Sequence, residues 1–500
     1  MKTLIISALA GMFMVLGYAP FGFSIAPFIS LALLFYLWRG SSSPRQGFFI
    51  GLYFGLGLYL FGVSWVYVSL STYGGMPLWM GSIAVLGFAG LLALIIAALG
   101  YLYHYVAFSA SLSIAARRVT IVIQSLVLAS LWTIFEWVKS WLLTGFPWLD
   151  VGYTQTSSWL FSFAPVGGVY FISFVVSLMA ALIMFGISER KPIAPAVIII
   201  ALLVSAYAMD GLHWSKPVGK FLHVGVVQAN VPIEAKWQAE YRDDVVNQLA
   251  TLSHSLSEQN ELDLLVWPET AIPLYFQQTD DDFWKSVKPK GVALLTGLLD
   301  SSGTDQKVFN AATLACDGQT QLYRKRHLVP FGEYLPLRFL FNWVLEYLEF
   351  PMSDFASWQG QQALGCGESI KIGLSICYED AFAAEYREHL GDATILVNIS
   401  EDAWFGDSFA PHQRTQMAQM RARELARPMV RSSNPGPSFV IDHTGEIKII
   451  SDQYQVATFV EKVQPHTGDT LFKRFGNWII YLSFLLVLAS VLINRRLDNQ

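Results

Sequence analysis

The chain has 500 residues, of which 53% are hydrophobic and only 14% charged, against about one quarter charged in soluble proteins, and that balance excludes an ordinary soluble enzyme. A formal net charge of −5 with no clustered basic stripe argues against a nucleic-acid partner. Three cysteines, Cys316, Cys366 and Cys377, are too few and too scattered for a disulfide scaffold or a CxxC metal site.

A bilayer crossing needs about 20 apolar residues in a helix. The first 210 residues offer seven apolar runs, near 4–18, 24–38, 48–70, 77–103, 119–142, 161–187 and 193–209, and an eighth lies near 477–493. The first run also has the basic start, short apolar stretch and small-residue end of a signal peptide. Counting it as a span keeps the positive charges in order: Lys2, Arg39 with Arg45, Arg117 with Arg118, Arg190 with Lys191, and Arg495 with Arg496 fall on alternate sides of successive spans. The loops near 19–23, 71–76 and 143–160 contain no Lys or Arg. The positive-inside rule then places both termini in the cytoplasm and residues 211–472 outside. Trp65, Tyr67, Tyr73 and Trp79 near one boundary, and Trp141, Trp148 and Trp159 near another, suit interfacial belts. Glu136 and Lys139 stand i, i+3 near the outer end of the fifth run and read as a pair reaching the interface.

From 211 to 472 short apolar runs alternate with polar helical stretches. Strands are expected at 221–228, 262–267, 292–298, 309–315, 370–376 and 394–399, many of them buried on both faces. Helical patterns near 239–258, 380–390 and 411–427 separate some of them, which describes a layered α/β domain of about 260 residues. The expected division is a membrane domain over 1–210, a catalytic block over 211–472, and a last span with a cytoplasmic tail over 473–500. An extracytoplasmic block permits Cys316 and Cys366 to pair, which leaves Cys377 as the odd thiol.

Three residues in this block carry the chemistry. Glu269 follows an apolar strand and Trp267-Pro268, so it leaves a sheet at its carboxyl end, where open α/β sheets place their sites; an isolated Glu there reads more simply as a surface turn. Lys325 lies in the basic run 324–327, and such runs are usually solvated faces. Cys377 closes the 370–376 strand, with Glu379 and Asp380 opening a helix, so nearby N–H groups and the positive helix end are expected to favour thiolate. A free cysteine alone is commonly a small buried hydrophobe. Together the three supply the nucleophile, base and cation that acyl transfer requires. Residues 337–352, with Phe339, Phe341, Trp343, Tyr347 and Phe350 and few charges, read as an amphipathic lid touching lipid rather than a packed helix.

Trp267-Pro268-Glu269, the run from Lys325 through His327-Leu328-Val329-Pro330-Phe331-Gly332-Glu333, and Cys377-Tyr378-Glu379 resemble the nitrilase superfamily and, within it, the apolipoprotein N-acyltransferase family. The likeness extends over nearly the whole chain, through Gly145-Phe146-Pro147-Trp148-Leu149, Gln228-Ala229-Asn230, Lys236-Trp237 and Asp402-Ala403-Trp404-Phe405-Gly406-Asp407-Ser408. It implies an αββα sandwich with Glu269 as general base, Lys325 as stabiliser of the tetrahedral intermediate and Cys377 as nucleophile. Glu333 matches a second glutamate that orients the lysine and thiol, and Tyr378 and Glu379 match a pair that shapes the pocket. Trp237, Phe146, Trp148, Phe339, Phe341 and Trp343 are the expected substrate or lipid contacts. One position departs: the family reads Ile-Ser-Asn-Asp-Ala-Trp-Phe where this chain has Ile399-Ser400-Glu401-Asp402-Ala403-Trp404-Phe405.

The resemblance implies a polytopic protein of eight transmembrane helices, in the inner membrane of a diderm bacterium, with an extracytoplasmic α/β sandwich on the periplasmic side. Its expected reaction is a ping-pong transfer of an acyl chain through a Cys377 thioester, without metal or cofactor. The donor is a phospholipid, typically phosphatidylethanolamine, and the acceptor is the N-terminal amine of a diacylated apolipoprotein. A membrane-tethered amidase using the same triad, with water as acceptor, is the nearest alternative. A transporter or scaffold is weaker, because it calls for ionisable residues across several spans and only Glu136 and Lys139 stand well inside one.

Overall fold

A computed structural model of the protein describes residues 1–106, 114–238, 240–302, 307–336, 338–341, 354–360 and 364–498. Helices form at each of the eight apolar runs: Lys2–Met14, Ala26–Arg39, Pro44–Gly62, Leu78–Val106, Ile114–Lys139, Ala164–Ser188, Ile193–Asp210 and Trp478–Asp498. Among the described residues, four stretches are long and apolar enough to cross a membrane: Leu78–Val106, Ile121–Lys139, Trp159–Ser188 and Ile193–Asp210. Along the last, Ile193, Val197, Ile200, Val204 and Tyr207 are exposed. Their three- and four-residue spacing is that of one helix face, so this helix turns an apolar stripe outward, as a lipid solvent allows. Helices without a hydrophobic drive to associate need close backbone contact. Gly57 supplies it, because a Cβ there would lie 2.0 Å from the Ala8 carbonyl oxygen.

Glu136 and Lys139 do not reach an interface as a pair. Both are buried, and an ion removed from water needs a partner close by. Lys139 Nζ finds Asp150 at 2.9 Å and donates to the Trp148 carbonyl at 2.6 Å. Glu136 Oε1 accepts from Trp132 Nε1 at 2.7 Å and Val151 N at 2.8 Å. Both side chains therefore anchor the loop that carries Phe146 and Trp148.

The catalytic block is built from two six-stranded sheets. One runs in the order Ala457–Val463, Leu222–Gln228, Leu264–Val266, Ala293–Ser301, Val308–Cys316, Gln319–Arg324; the other runs Ile447–Ile450, Phe439–Ile441, Met429–Asn434, Ile395–Glu401, Ile370–Ile376, Leu364–Cys366. All six expected strands are present. The other six escaped the apolar pattern, and Met429–Asn434 shows why: it is buried throughout yet carries Arg431, Ser432 and Ser433.

The period of two along each strand sorts its side chains. Leu264 and Val266 turn toward the second sheet and pack with Ile372, Leu374, Val397 and Val430, whereas Leu265 turns outward. Helices Arg242–Gln259 and Asp281–Val287 cover the outer face of the first sheet through Val245, Leu249 and Trp284. Ala383–His389 and Ala410–Leu425 cover the second through Tyr386, Ala418 and Leu425. The layers are helix, sheet, sheet, helix, with each fully buried Val, Leu or Ile contributing about 1.5–3 kcal/mol.

Cys316 and Cys366 form a disulfide with a Cα–Cα separation of 6.1 Å, which ties a strand of the first sheet to the edge strand of the second. Cys377 is free and buried. The bridge closes a 50-residue separation, and loop entropy then sets its worth at about 4 kcal/mol. The double substitution Cys316→Ala, Cys366→Ala should lower the unfolding midpoint of the purified protein accordingly, and an unchanged midpoint would count against a stabilising bridge.

Candidate active site

Glu269 leaves the first sheet just beyond Leu264–Val266, and Lys325 follows Gln319–Arg324 at the far side of that sheet. The two intervening strands determine how the groups meet. On Ala293–Ser301, Gly297 lets the base approach: a Cβ there would lie 2.7 Å from Glu269 Cα and 2.3 Å from Thr270 N. On Val308–Cys316, Asn310 Nδ2 donates to Glu269 Oε1 at 2.7 Å and to Glu333 Oε1 at 2.8 Å. Lys325 Nζ lies 3.5 Å from Glu269 Oε1 and 2.9 Å from Glu333 Oε1. Val329 N closes the set by donating to Glu333 Oε2 at 2.8 Å. Glu269, Glu333 and Lys325 are all buried. Burial opposes the charge on Lys325, but Glu333 and Glu269 outweigh it and raise its pKa, so the group stays cationic. The basic run 324–327 is therefore not a solvated face.

Cys377 follows the Ile370–Ile376 strand, which lies next to the edge strand of the second sheet, and begins the short turn Cys377–Ala381. Its φ of 51° is left-handed, a conformation that costs an L-residue about 1–3 kcal/mol and persists only under constraint. Arg414 supplies much of that constraint, since its Nη2 donates to the Cys377 carbonyl at 2.8 Å while Nη1 lies 3.8 Å from Sγ. Asn398 Nδ2 donates to the same carbonyl at 3.2 Å. Arg414 is itself held by Asp402 and Asp380.

The expectation of a thiolate fails. Burial pushes the Cys377 pKa up, Glu269 adds to the rise, Arg414 and Lys325 only partly offset it, and the result is about 12. Desolvation wins because the nucleophile sits on a single helical turn with little dipole behind it. The resting group is a thiol.

Glu379 does more than line the pocket. Its Oε2 accepts from Ile376 N at 2.7 Å and Tyr323 Oη at 2.9 Å, and its Oε1 from Arg326 N at 2.6 Å and His327 N at 3.3 Å. One carboxylate thus joins the cysteine strand to the lysine strand. Tyr378 Oη donates to the Gly145 carbonyl at 3.1 Å, in the loop between two membrane-domain helices.

The expected lipid contacts divide. Trp148 is buried, its Nε1 donates to Gln413 Oε1 at 2.5 Å, and its ring stacks near Phe146 and Tyr378. It serves the junction between membrane helices and catalytic block, because burying an indole requires a partner for its N–H. Phe146 is partly buried against Trp65 and Phe88. Trp237 packs against Leu299, Leu328 and Phe355. Phe339 is 81% exposed on the one-turn helix Arg338–Phe341. The Phe341 side chain, Trp343 and most of the expected 337–352 lid lie outside the described residues.

Sequence reasoning missed Asn310, Arg414 and Gln413. Asn310 had no motif to signal it. Arg414 and Gln413 sit on Ala410–Leu425, a helix polar in sequence yet largely buried, and that mismatch is visible only once burial is known. Among the described residues, no group of three or more His, Cys, Asp or Glu side chains is placed to hold a metal ion.

A thiol pKa near 12 has a direct consequence for reactivity. Alkylation of Cys377 by iodoacetamide should be slow at pH 7 and climb about tenfold per pH unit through pH 10. A plateau below pH 8 would mean that the thiolate is already formed at rest.

Residues 10–182 match the apolipoprotein N-acyltransferase N-terminal domain family, and residues 223–470 the carbon-nitrogen hydrolase family. The chain is 35% identical to an apolipoprotein N-acyltransferase of Methylococcus capsulatus, over 96% of this chain and 93% of that one. It is also 35% identical to the protein of the same name in Nitrosomonas europaea, over 96% and 95% of the two chains. Among solved structures, a CN-hydrolase superfamily protein from Xanthomonas campestris covers 48% of this chain and 91% of its own, at 18% identity and a TM-score of 0.35. By the two relatives, which align along almost their full lengths, the chain belongs to the apolipoprotein N-acyltransferase family and is an acyltransferase with a carbon-nitrogen hydrolase domain.

Proposed function

We propose that the protein transfers an acyl chain from a phospholipid to the N-terminal amine of a diacylglyceryl-cysteine lipoprotein, through a thioester on Cys377. Glu269 takes the thiol proton as Sγ attacks the ester carbonyl. Lys325 stabilises the oxyanion, and collapse of the tetrahedral intermediate breaks the ester C–O bond and expels a lysophospholipid, whose oxygen takes the proton from Glu269. The lipoprotein amine then attacks the thioester and loses its proton to Glu269; the C–S bond breaks, Glu269 returns the proton to the sulfur, and the peptide leaves as the amide with the Cys377 thiol restored. Phosphatidylethanolamine is the expected donor. Family membership removes the transporter or scaffold reading.

The observation that carries the proposal is the contact between the nucleophile's neighbours and the membrane domain. Tyr378, next to Cys377, is bonded to Gly145. Gln413, next to Arg414, accepts from Trp65 and Trp148 and donates to the Gly62 carbonyl at 3.0 Å. A thiol fastened there suits a donor embedded in lipid better than one dissolved in water. A thiol with a pKa near 12 also needs a base during attack, and Glu269 is near enough to act on its charge. Excluding water from such a pocket protects the thioester until an amine arrives, which favours transfer over the amidase alternative.

The same reading takes 1–210 as seven spans, 211–472 as the catalytic domain and 473–500 as the last span and tail. The positive-inside pattern supports periplasmic placement of the domain and cytoplasmic termini. The Cys316–Cys366 bridge supports it independently, since disulfides persist in oxidising compartments.

Purified protein given labelled phosphatidylethanolamine and a diacylated lipopeptide should yield the triacylated peptide. Cys377→Ala should abolish it, and Glu269→Gln should slow thioester formation by 10²-fold or more, on the order of a lost general base. An acyl adduct persisting in Cys377→Ala, or release of free fatty acid alone, would overturn the proposal.

A further inference from the structure

Glu401, at the end of the Ile395–Glu401 strand, lies within reach of Glu269. Its backbone N–H donates to Glu269 Oε2 at 2.9 Å. Its side chain pairs with Lys236 Nζ at 2.6 Å. That same Nζ donates to the Glu269 backbone carbonyl at 3.0 Å. Residue 401 therefore holds the base twice, through its own main chain at the carboxylate and through Lys236 at the backbone. Asn434 Nδ2 completes the arrangement, donating to Glu401 Oε2 at 3.1 Å.

Both charges are buried, with Lys236 2% and Glu401 4% exposed. A buried ion needs its counter-charge, so Glu401 and Lys236 explain each other: an amide at 401 would leave Lys236 without the carboxylate it meets here. Asn310 and Lys325 fix the other oxygen, Oε1. The Glu269 carboxylate is thereby held from both sides, while Cβ-free Gly297 lies against its backbone. Among the described residues, the hydrogen bonds of Lys236 and Glu401 run to Glu269, to each other and to their neighbours, while the one to the Cys377 sulfur comes from Arg414.

We infer that Lys236 and Glu401 form a positioning pair for Glu269, aiming its carboxylate at the Cys377 thiol without taking part in the chemistry. The inference rests on the reading of Glu269 as general base. A pair of this kind acts on the rate of the step and leaves substrate binding alone, because among Glu269, Lys325 and Cys377 its hydrogen bonds reach Glu269.

The test is acyl-enzyme formation by the full-length purified protein with phosphatidylethanolamine, followed by mass spectrometry. Lys236→Met should lower the saturating rate roughly 10- to 100-fold, the scale of a misplaced catalytic group, with the half-saturating phospholipid concentration unchanged. Lys236→Arg, which retains the charge, should recover much of the loss. The double variant Lys236→Met, Glu401→Gln leaves no lone buried ion, so it guards against simple misfolding. A positioning pair predicts that the double variant stays as slow as Lys236→Met. A wild-type rate in the double variant, or a change confined to half-saturation, overturns the inference. Glu269→Gln separates the two levels: if it is slow while the double variant is fast, only the positioning pair is wrong. If Glu269→Gln is itself fast, the base assignment falls.

Discussion

The site depends on the register between two sheets. Glu269 and Lys325 belong to the first and Cys377 to the second, so none of their mutual distances is set by a single strand pairing. The Glu379 carboxylate joins Cys377's strand to that of Lys325, accepting from Ile376 N on one side and from Tyr323, Arg326 and His327 on the other. Hydrogen bonds to a charged acceptor are worth about 1.5–3 kcal/mol each, and the larger cost is in leaving their buried donors unpaired. The apolar interface between the sheets provides most of the adhesion, but it is non-directional. The polar pin gives the interface its direction.

Electrostatics divides the site into two neighbourhoods. Around Lys325, burial opposes the charge and the Glu333 and Glu269 carboxylates keep it. Around Cys377, burial dominates and the sulfur rests as a thiol in spite of Arg414 and Lys325. This division suits a catalyst facing lipid, on the proposed mechanism: a protonated thiol is inert until base and ester are both in place. Arg414 then has a mainly structural duty, fastening the strained Cys377 turn through its carbonyl. Its neighbour Gln413 joins that turn's support to Trp65 and Trp148, in connections between helices of the membrane domain.

Much of the fold was legible in the sequence because its signals are long. Apolar runs located the helices, and buried strands such as Ile370–Ile376 announced themselves by unbroken hydrophobicity. Strands such as Met429–Asn434 did not, because their polar side chains are satisfied by partners far away in the chain, as Ser433 is by Asp402. Glu269, Lys325, Cys377 and Glu333 were legible as motifs, and the structure gathers the first two with Glu333 into one hydrogen-bonded set. The ionisation of Cys377 was not legible, since it turns on how completely the thiol is desolvated. The partner of the Trp148 N–H, Gln413, was not legible either, because it lies 265 positions away in the chain. Glu401 was visible as an oddity, and only Lys236, 165 positions away, gives it meaning.

The central claim is that the acyl chain rests on Cys377 between two separate substrates. The most direct measurement is a half-reaction chase: load the protein with labelled phosphatidylethanolamine, remove all free lipid, and add a diacylated lipopeptide alone. The account predicts that label bound to Cys377 passes to the peptide amine in a single turnover, one acyl chain per loaded protein. Label that never attaches to the protein, or that reaches the peptide only while phospholipid is present, would contradict it.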